Sequence, residues 1–430
     1  MMTQQLTLFL DDNSSVGLDV LPGTLGQSAV DLRSLAQQGL CSYDPGFSNT
    51  AGCKSAISYI DTEQSILLHR GYPVDQLATQ CDFLELSYIL LYGDAPTEDE
   101  YQAFSNTITR HTLVHEQMAR MCSGFRRDSH PMALMCALVG ALAAFYHEMV
   151  DVSNPEHRRL AEVRLLSKMP TLAAMSYKYT VEQPANYPRN SLSYAGNFLH
   201  MLFGVQAEPY VVNPVLEQAM NQILILHADH GQCASTTTVR TAGSSGANPF
   251  ACIAAGLASL WGPQHGGANE ACMSMLEEIR EIDEIPAFIT RAMAQPSVFR
   301  RLGFGNSRYT HSDPRAAILR ETCHKVLKEQ GMEDSLLQVA MALEDIALND
   351  SYFIKNKLFP SADFYTAVIL KAMGLPSTMF TVVTAVGRTL GWVAHWNEMH
   401  ETVDEPLQIY RPRQLYTGPA QRDFVSRRKG

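Results

Sequence analysis

The sequence is short of positive charge. It carries 33 lysines and arginines against 44 aspartates and glutamates, a formal net charge of −11. That balance excludes a general nucleic-acid binder, which needs a basic footprint. Long apolar runs are missing too. The longest uninterrupted one, Met132 to Tyr146, stops at His147, short of the roughly 20 residues a membrane-spanning helix needs. The nine cysteines include no CxxC pair and no tight, even spacing. This argues against a disulfide framework or zinc ribbon and fits reduced thiols in a cytoplasmic protein. The first residues, MMTQQLTLFLDDNSS, lack the basic n-region of a secretory leader, so none is expected. No internal repeat or low-complexity segment stands out.

What remains is enough for a large core. Apolar residues make up 46% of 430 and charged residues 18%. Length alone suggests about three domains, or one large domain with an appendage, at ~150 residues each. Residues 1–65 differ from the rest. LTLFL and VGLDV alternate, and AISYID and SILLHRGY read as two strands of a hairpin turning at Asp61-Thr62-Glu63-Gln64. From about Val74 the period becomes helical. Thr97 and Glu100 form a capping box, and Pro131 opens the apolar helix, which we expect to be buried all round. Ser335 and Gln338 start another helix, with Leu336, Val339, Leu343 and Ile346 at helical spacing. The fold class is therefore mostly α with a small β-rich N-terminal region. The last twenty residues, basic at Arg411, Arg413 and Arg427-Arg428-Lys429, read as an irregular tail.

Three stretches are polar in ways a core does not require. They are His227 to Ser235, Trp261 to Glu270, and Phe304 to Arg315. His227 and His230 share a helix face, but a third metal ligand is missing, so no metal is expected. Gly243 to Gly246 lacks the frame of a phosphate-binding loop. His265 lies in a Pro- and Gly-marked loop whose glycines permit close backbone approach and positive φ. Arg388, inside the otherwise apolar Thr381–Trp396 run, is costly to bury alone. It is either paired with a carboxylate of this chain or placed to receive one from a ligand.

At these residues the sequence closely resembles the citrate synthase family. The resemblance rests on ILILHADHGQCAST, RTAGSSGANPFACIAAGLASLWGPQHGGANEA, LGFG followed by DPRA, and RPRQLYTG. TLGQ, DPGF, LLHRGYPVDQLA, RRDSHPMALMCALVGALAAFYH and RLLSKMPT extend it over nearly the whole chain. It is similar to the bacterial type that has an N-terminal β domain and assembles as a hexamer. The resemblance implies a large helical domain (residues 66–270 and 381–430) and a small one (271–380). It implies condensation of acetyl-CoA with oxaloacetate, or a related 2-oxo acid, followed by thioester hydrolysis. No permanently bound cofactor and no metal follow from it. Asp363 would be the base, His265 the enolate donor and Ser235 its orienting neighbour. His230, Arg315, Arg388 and Arg411 would bind the oxo acid, Arg411 reaching into a neighbouring subunit's site. A homo-oligomer, dimer or hexamer, is thus expected, with neither nucleic acid nor membrane as partner. In this type NADH is an allosteric inhibitor, and Arg110, His111, Thr112, Tyr146, Arg164 and Lys168 match the residues that hold it. The bland alternative for these six is a solvated charged surface.

The chain departs from the family pattern at three places in the site. The family's GFGH histidine, which polarises the ketone, is Asn306 here, followed by Ser307-Arg308-Tyr309 where Arg-Val-Tyr is usual; His311 lies nearby. The family's DHEQNAS is DHGQCAS, which replaces a carboxylate and an amide by Gly231 and Cys233. An amide donates a hydrogen bond but carries no charge and passes no proton. Two readings follow: a condensing enzyme with weakened or altered specificity, or an inactive paralogue with a binding or regulatory role. Cys233 reads as a small packing residue, a reactive thiol being the alternative.

Overall fold

The computed structural model describes residues 4–10, 14–293, 303–305, 309, 313–331, 334–401 and 407–424. The chain forms two compact units, Met1–Lys54 with Ile409–Gly430, and Ser55–Gln408.

In the first unit, strand β1 (Gln5–Phe9) pairs antiparallel with β2 (Ser15–Leu21), Gln5 opposite Asp19 and Phe9 opposite Ser15. β3 (Ala29–Val30) joins the other edge of β2. The alternation of β2 has a clear inside. Val16 and Leu18 are buried with Leu35 from the 3₁₀ turn Arg33–Gln38, and Leu10 packs against them. β1 forms a strand as its alternation predicts, but Leu6, Leu8 and Phe9 stay exposed in the single chain. Tail residues 407–424 contain no helix or strand.

The second unit begins with the expected hairpin. β4 (Ser58–Asp61) and β5 (Ile66–His69) pair antiparallel, Ser58 opposite His69, and β6 (Tyr72–Pro73) completes a three-stranded sheet. Asp61 makes the turn by accepting from the Glu63 and Gln64 amides at 2.9 and 2.8 Å.

Helices follow from Val74 onward: α1 (Val74–Gln80), α2 (Phe83–Tyr92), α3 (Glu98–Arg110), α4 (Glu116–Cys122), α5 (Pro131–Phe145) and α6 (Pro155–Thr180). Then come α7 (Tyr194–Phe203), α8 (Pro214–His227), α9 (Ala234–Gly243), α10 (Pro249–Leu260), α11 (Ala268–Ile279) and α12 (Ile285–Met293). The last are α13 (Pro314–Gln330), α14 (Ser335–Asn349), α15 (Ser351–Lys355), α16 (Ala362–Ala372) and α17 (Phe380–Glu401). Many starts share one device. His130, Asn154, Asn213, Asn248 and Asp313 each cap a helix whose first residue is proline. Proline at that position gives up an N–H that would have had no helical partner anyway. The Thr97–Glu100 capping box is present. At α14 the cap is Asp334, not Ser335, and the buried stripe is Leu337, Val339, Ala340, Leu343 and Ala347, with Leu336 and Ile346 only half-buried.

Helix α17 is the axis of the second unit. It packs against α2, α6, α8, α9 and α10, and nearly all its residues are buried. α11, α13, α14 and α16 pack on one another, and α13 also packs against α8 and α1. α5 corrects an expectation. Leu134, Leu138 and Leu142 are buried, but Ala133, Cys136, Ala137, Gly140 and Ala141 are half-buried and Ala144 is exposed. Composition marks this helix as apolar all round, yet its small side chains face outward from the single chain. Among the described residues no helix is long and apolar enough to cross a membrane.

Helix α6 keeps Pro170 in its interior. A proline there cannot donate to the carbonyl four residues back, which is that of Leu166. The buried Tyr194 hydroxyl, from the start of α7, donates to this carbonyl at 2.8 Å. The kink-prone site is thus satisfied by a neighbouring helix. Tyr194→Phe should destabilise the protein by about 1–3 kcal/mol, the cost of a buried acceptor left unpaired. Urea unfolding of the two proteins measures this, and a difference below about 0.5 kcal/mol would count against the assignment.

Candidate functional site

Two glycines of α17 bring the site together. A Cβ on Gly387 would lie 2.7 Å from the Leu224 carbonyl oxygen, and one on Gly391 would lie 2.4 Å from the Ala228 oxygen. Only glycine lets α17 lie this close to α8 and the turn after it. Arg388, between them, reaches that turn. Its Nε donates to the His227 carbonyl at 2.7 Å and its Nη1 lies 3.2 Å from Cys233 Sγ. Among the described residues no carboxylate is hydrogen-bonded to it. Neither an own-chain carboxylate nor an open position is therefore the whole account of Arg388.

The turn Ala228–Cys233 is set by Gly231, whose φ is +59°, and by Asp229 Oδ2, which accepts from the Gly231 amide at 2.9 Å. A Cβ at Gly231 would meet Ile60 of β4 at 3.4 Å. Behind the turn, Asp229 faces His395 Nε2 at 3.3 Å. Burial opposes the Asp229 charge, but His395, by charge and hydrogen bond, holds the carboxyl below its usual range. His230 Nε2 contacts the Tyr309 hydroxyl at 3.0 Å. Cys233 is not an inert packing residue, since it has polar contacts to Arg388, Ser235 and Thr236.

His265 sits in the turn between α10 and α11. Gly266 and Gly267 are needed there for close approach, not positive φ. A Cβ on Gly266 would lie 2.6 Å from the Leu260 carbonyl oxygen, and one on Gly267 would lie 2.9 Å from Pro263 Cα. His265 Nε2 faces the Ser235 amide at 3.3 Å and the Ser235 hydroxyl at 2.8 Å. The Ser235 hydroxyl in turn accepts from Trp392 Nε1 at 3.2 Å. A ring nitrogen that accepts from a backbone N–H carries no proton. The ring proton then sits on Nδ1, which leaves Nδ1–H as the ring's donor.

Asp363 lies in the first turn of α16, where the helix dipole favours a carboxylate. Burial raises its pKa nonetheless, against the pull of Arg315, Arg388 and His265. A buried carboxyl raised in this way is a stronger base than one in water. Asn269 holds it. With the amide nitrogen toward the carboxylate, it donates to Asp363 Oδ1 at 2.7 Å and to the Asp363 carbonyl at 3.2 Å, and its oxygen accepts from Thr384 at 3.1 Å. Arg315 is clamped by Asp313, Nε to Oδ1 at 3.0 Å and Nη2 to Oδ2 at 2.7 Å. Burial opposes its charge, and Asp313 more than restores it.

The structure thus gathers His230, Ser235, His265, Arg315, Asp363 and Arg388 around one region. Asn306 lies outside the described residues, as do Ser307, Arg308 and His311. Its chain neighbours are fixed beside α16: the Gly305 amide donates to the Phe359 carbonyl at 2.7 Å, and Ser361 to that of Gly303 at 2.9 Å. Arg411 belongs to the other compact unit, in the irregular tail, and is exposed in the single chain. Sequence reasoning missed Asn269, the Tyr309 contact and the Asp229–His395 pair, because no local spacing signals them. Among the described residues no group of three or more His, Cys, Asp or Glu side chains could hold a metal ion, and all nine cysteines are free.

A second cluster forms where the end of α3 meets α6. Lys168 Nζ donates to the His111 and Leu113 carbonyls, both at 2.5 Å, and Thr171 to that of Thr112 at 2.8 Å. The Arg164 guanidinium lies 4.0 Å from the centroid of the Tyr146 ring, and its Nη1 is buried without a partner. Burial, then Arg164, lowers the Lys168 pKa to about 8. Lys168 is buried, so the cluster is not simply a solvated charged surface; Arg110 is the exposed member.

Comparison with known proteins agrees with this fold. The family model for the citrate synthase C-terminal domain matches residues 46–413. The chain is similar to the citrate synthase of Thermoplasma acidophilum, solved with carboxymethyl coenzyme A and oxaloacetate. The two are 29% identical with a TM-score of 0.80, over 89% of this chain and 98% of that one. The Pyrobaculum aerophilum citrate synthase is 32% identical with a TM-score of 0.80, over 89% and 94% of the respective chains. That of Thermotoga maritima is 29% identical with a TM-score of 0.75, over 90% and 98%. Fold and match together define a condensing enzyme of the transferase type. The chain belongs to the citrate synthase family.

Asn269 yields a prediction. Removing a donor to the charged form of a buried carboxyl disfavours ionisation. Asn269→Ala should raise the Asp363 pKa further, by about one unit or ~1.4 kcal/mol. Carboxyl-carbon NMR titration of wild type and variant reads this, and coincident curves would contradict it.

Proposed function

We propose that the protein joins the α-carbon of an acyl-CoA, acetyl-CoA in the first instance, to the ketone of oxaloacetate or a related 2-oxo acid. The observation that carries this reading is the contact of His265 Nε2 with the Ser235 amide and hydroxyl, together with the buried carboxyl of Asp363. Asp363 takes a proton from the α-carbon, and His265 Nδ1–H donates to the oxygen that becomes the enolate. Arg315, Arg388 and His230 bind the oxo acid, and guanidinium forks suit its carboxylates. The enolate carbon attacks the ketone, whose oxygen takes a hydrogen bond from the Asn306 amide. Water then cleaves the thioester and releases CoA. Asp363 lies in segment 271–380, and His265, Ser235 and Arg388 lie in 66–270 and 381–430. The reading is therefore of a small domain closing on a large one. It includes a cytoplasmic homo-oligomer, dimer or hexamer, in which Arg411 completes a neighbour's site.

A neutral amide polarises a ketone less well than a protonatable imidazole. Removing one donor of this type typically costs about 10²–10³ in rate. Citrate formation should therefore be slow while solvent exchange of the acetyl-CoA α-protons persists in the presence of an oxo-acid analogue. Asn306→His should raise citrate formation by tens to about a thousand-fold, and Asp363→Ala should abolish exchange. Rescue at Gly231 is less straightforward. Glutamate there would have to adopt a φ near +59°, uncommon for a residue with a side chain. If wild type and Asp363→Ala are equally silent with every oxo acid in a panel, the inactive-paralogue reading replaces this one.

We assign the α3–α6 cluster to NADH acting as an allosteric inhibitor. The unpartnered Arg164 Nη1 beside the Tyr146 ring favours an anionic ligand, and Arg110, His111, Thr112, Tyr146, Arg164 and Lys168 match the residues that hold NADH in the family type. Titration with NADH should show binding that Arg164→Ala weakens at least tenfold, about 1.4 kcal/mol. Absence of binding at millimolar NADH would remove the assignment.

A further inference from the structure

The most unusual pair in the site is a cysteine facing an arginine. Arg388 is 4% exposed and Cys233 5%. The hydrogen-bond partners of the guanidinium are the His227 carbonyl and the Cys233 sulfur. A buried guanidinium needs an anion or carbonyls close by, because desolvating an unanswered charge is strongly unfavourable. The sulfur is placed to supply an anion. It lies 3.2 Å from Arg388 Nη1, 3.2 Å from Thr236 Oγ1 and 3.3 Å from Ser235 Oγ. It also sits at the N-cap of α9 without capping an amide through its side chain, in the field of the helix N-terminus.

We propose that Cys233 is the thiolate counter-ion of Arg388, and that an anionic ligand arriving at Arg388 takes over this role while the sulfur picks up a proton from solvent. No covalent bond forms. One S–H is made, one proton leaves bulk water, and the guanidinium exchanges one anion for another. Cys233 thereby becomes a specificity-determining residue that makes affinity for a carboxylate at Arg388 fall as pH rises. The ligand half of this inference rests on the reading of Arg388 as a contact for the oxo acid; the thiolate half does not.

The surrounding groups agree. Burial alone would lift the thiol, but the Arg388 guanidinium, the leading opposing influence, brings it well below the ordinary value. His265 faces the sulfur from the α10–α11 turn and Arg388 from α17; Asp229 and His230 share its own turn. Behind Arg388 lie His69 of β5 and His395, and Arg315 and Asp363 face the same region. Burial holds His69 neutral, with a pKa pushed down to about 4. Asp229 is the nearby buried carboxylate, and it is committed to His395 and the Gly231 amide.

The test is an ultraviolet thiolate titration of the full chain, wild type minus Cys233→Ser, so that the other cysteines cancel. The difference signal should be complete well below the range in which an ordinary thiol, of pKa about 8.5, ionises. Saturating oxaloacetate should move the midpoint up by at least about one unit. Calorimetry in buffers of different ionisation enthalpy should show net proton uptake in wild type and none in Cys233→Ser. A difference signal that rises only above about pH 8.5 overturns the thiolate. A low midpoint that oxaloacetate leaves in place overturns the coupling. If Cys233→Ser does not fold, Arg388→Gln serves instead. It should raise the midpoint by at least about one unit, and an unchanged midpoint overturns the pair. The acetyl-CoA exchange assay keeps the two readings apart. A thiolate without exchange defeats the condensing function alone, and exchange with an ordinary thiol defeats this inference alone.

Discussion

Two arginines buried within helical packing set the terms for everything around them. A guanidinium removed from water has to be met by anions or carbonyls at short range, or the fold loses several kcal/mol. Arg315 is met by a bidentate carboxylate that also caps its helix. Arg388 is met by a carbonyl and a sulfur. The asymmetry divides the labour. Arg315 carries a fixed carboxylate partner of its own chain, whereas Arg388 has a soft, protonatable one. The raised pKa of Asp363 belongs to the same arrangement, since burial penalises its charge and both arginines pull the other way.

Backbone approach makes this electrostatic cluster feasible. Gly387 and Gly391, one turn apart, let α17 lie against α8 and the turn after it. A methyl group at either position would separate the helices and withdraw Arg388 from its partners. The close turn at Gly266 and Gly267 does the same for His265, carrying its ring to Ser235. Chemical groups in this site are therefore placed by residues that have no side chain.

The parts legible in the sequence were those with a local cause. The β4–β5 hairpin followed from alternation and its turn at Asp61, the starts of α3 and α5 from a capping box and Pro131, and the onset of helix from the change of period at Val74. His265, Ser235, Asp363 and Arg388 were legible only as members of long motifs. Their meeting depends on contacts between residues from 30 (Ser235–His265) to 161 (His227–Arg388) positions apart, which no local period encodes. Asn269 escaped notice because its role is a contact with Asp363 on another helix. The exposure of one side of α5 was hidden because alanine, glycine and cysteine register as apolar whichever way they face. Cys233 was misjudged for a related reason: residue type says small and apolar, while only the position of Arg388 makes it polar.

The Pro170–Tyr194 contact reaches beyond its own hydrogen bond. The Leu166 carbonyl is satisfied only while α7 is docked. Loosening α7 leaves a gap in the middle of α6, and loosening α6 strands a buried phenol. The two helices therefore share one opening event, and their slowest amide protons should exchange with a common free energy, as a single cooperative block. Because α6 also carries Arg164 and Lys168, whatever occupies that cluster steadies a block extending to α7, well past the residues it touches.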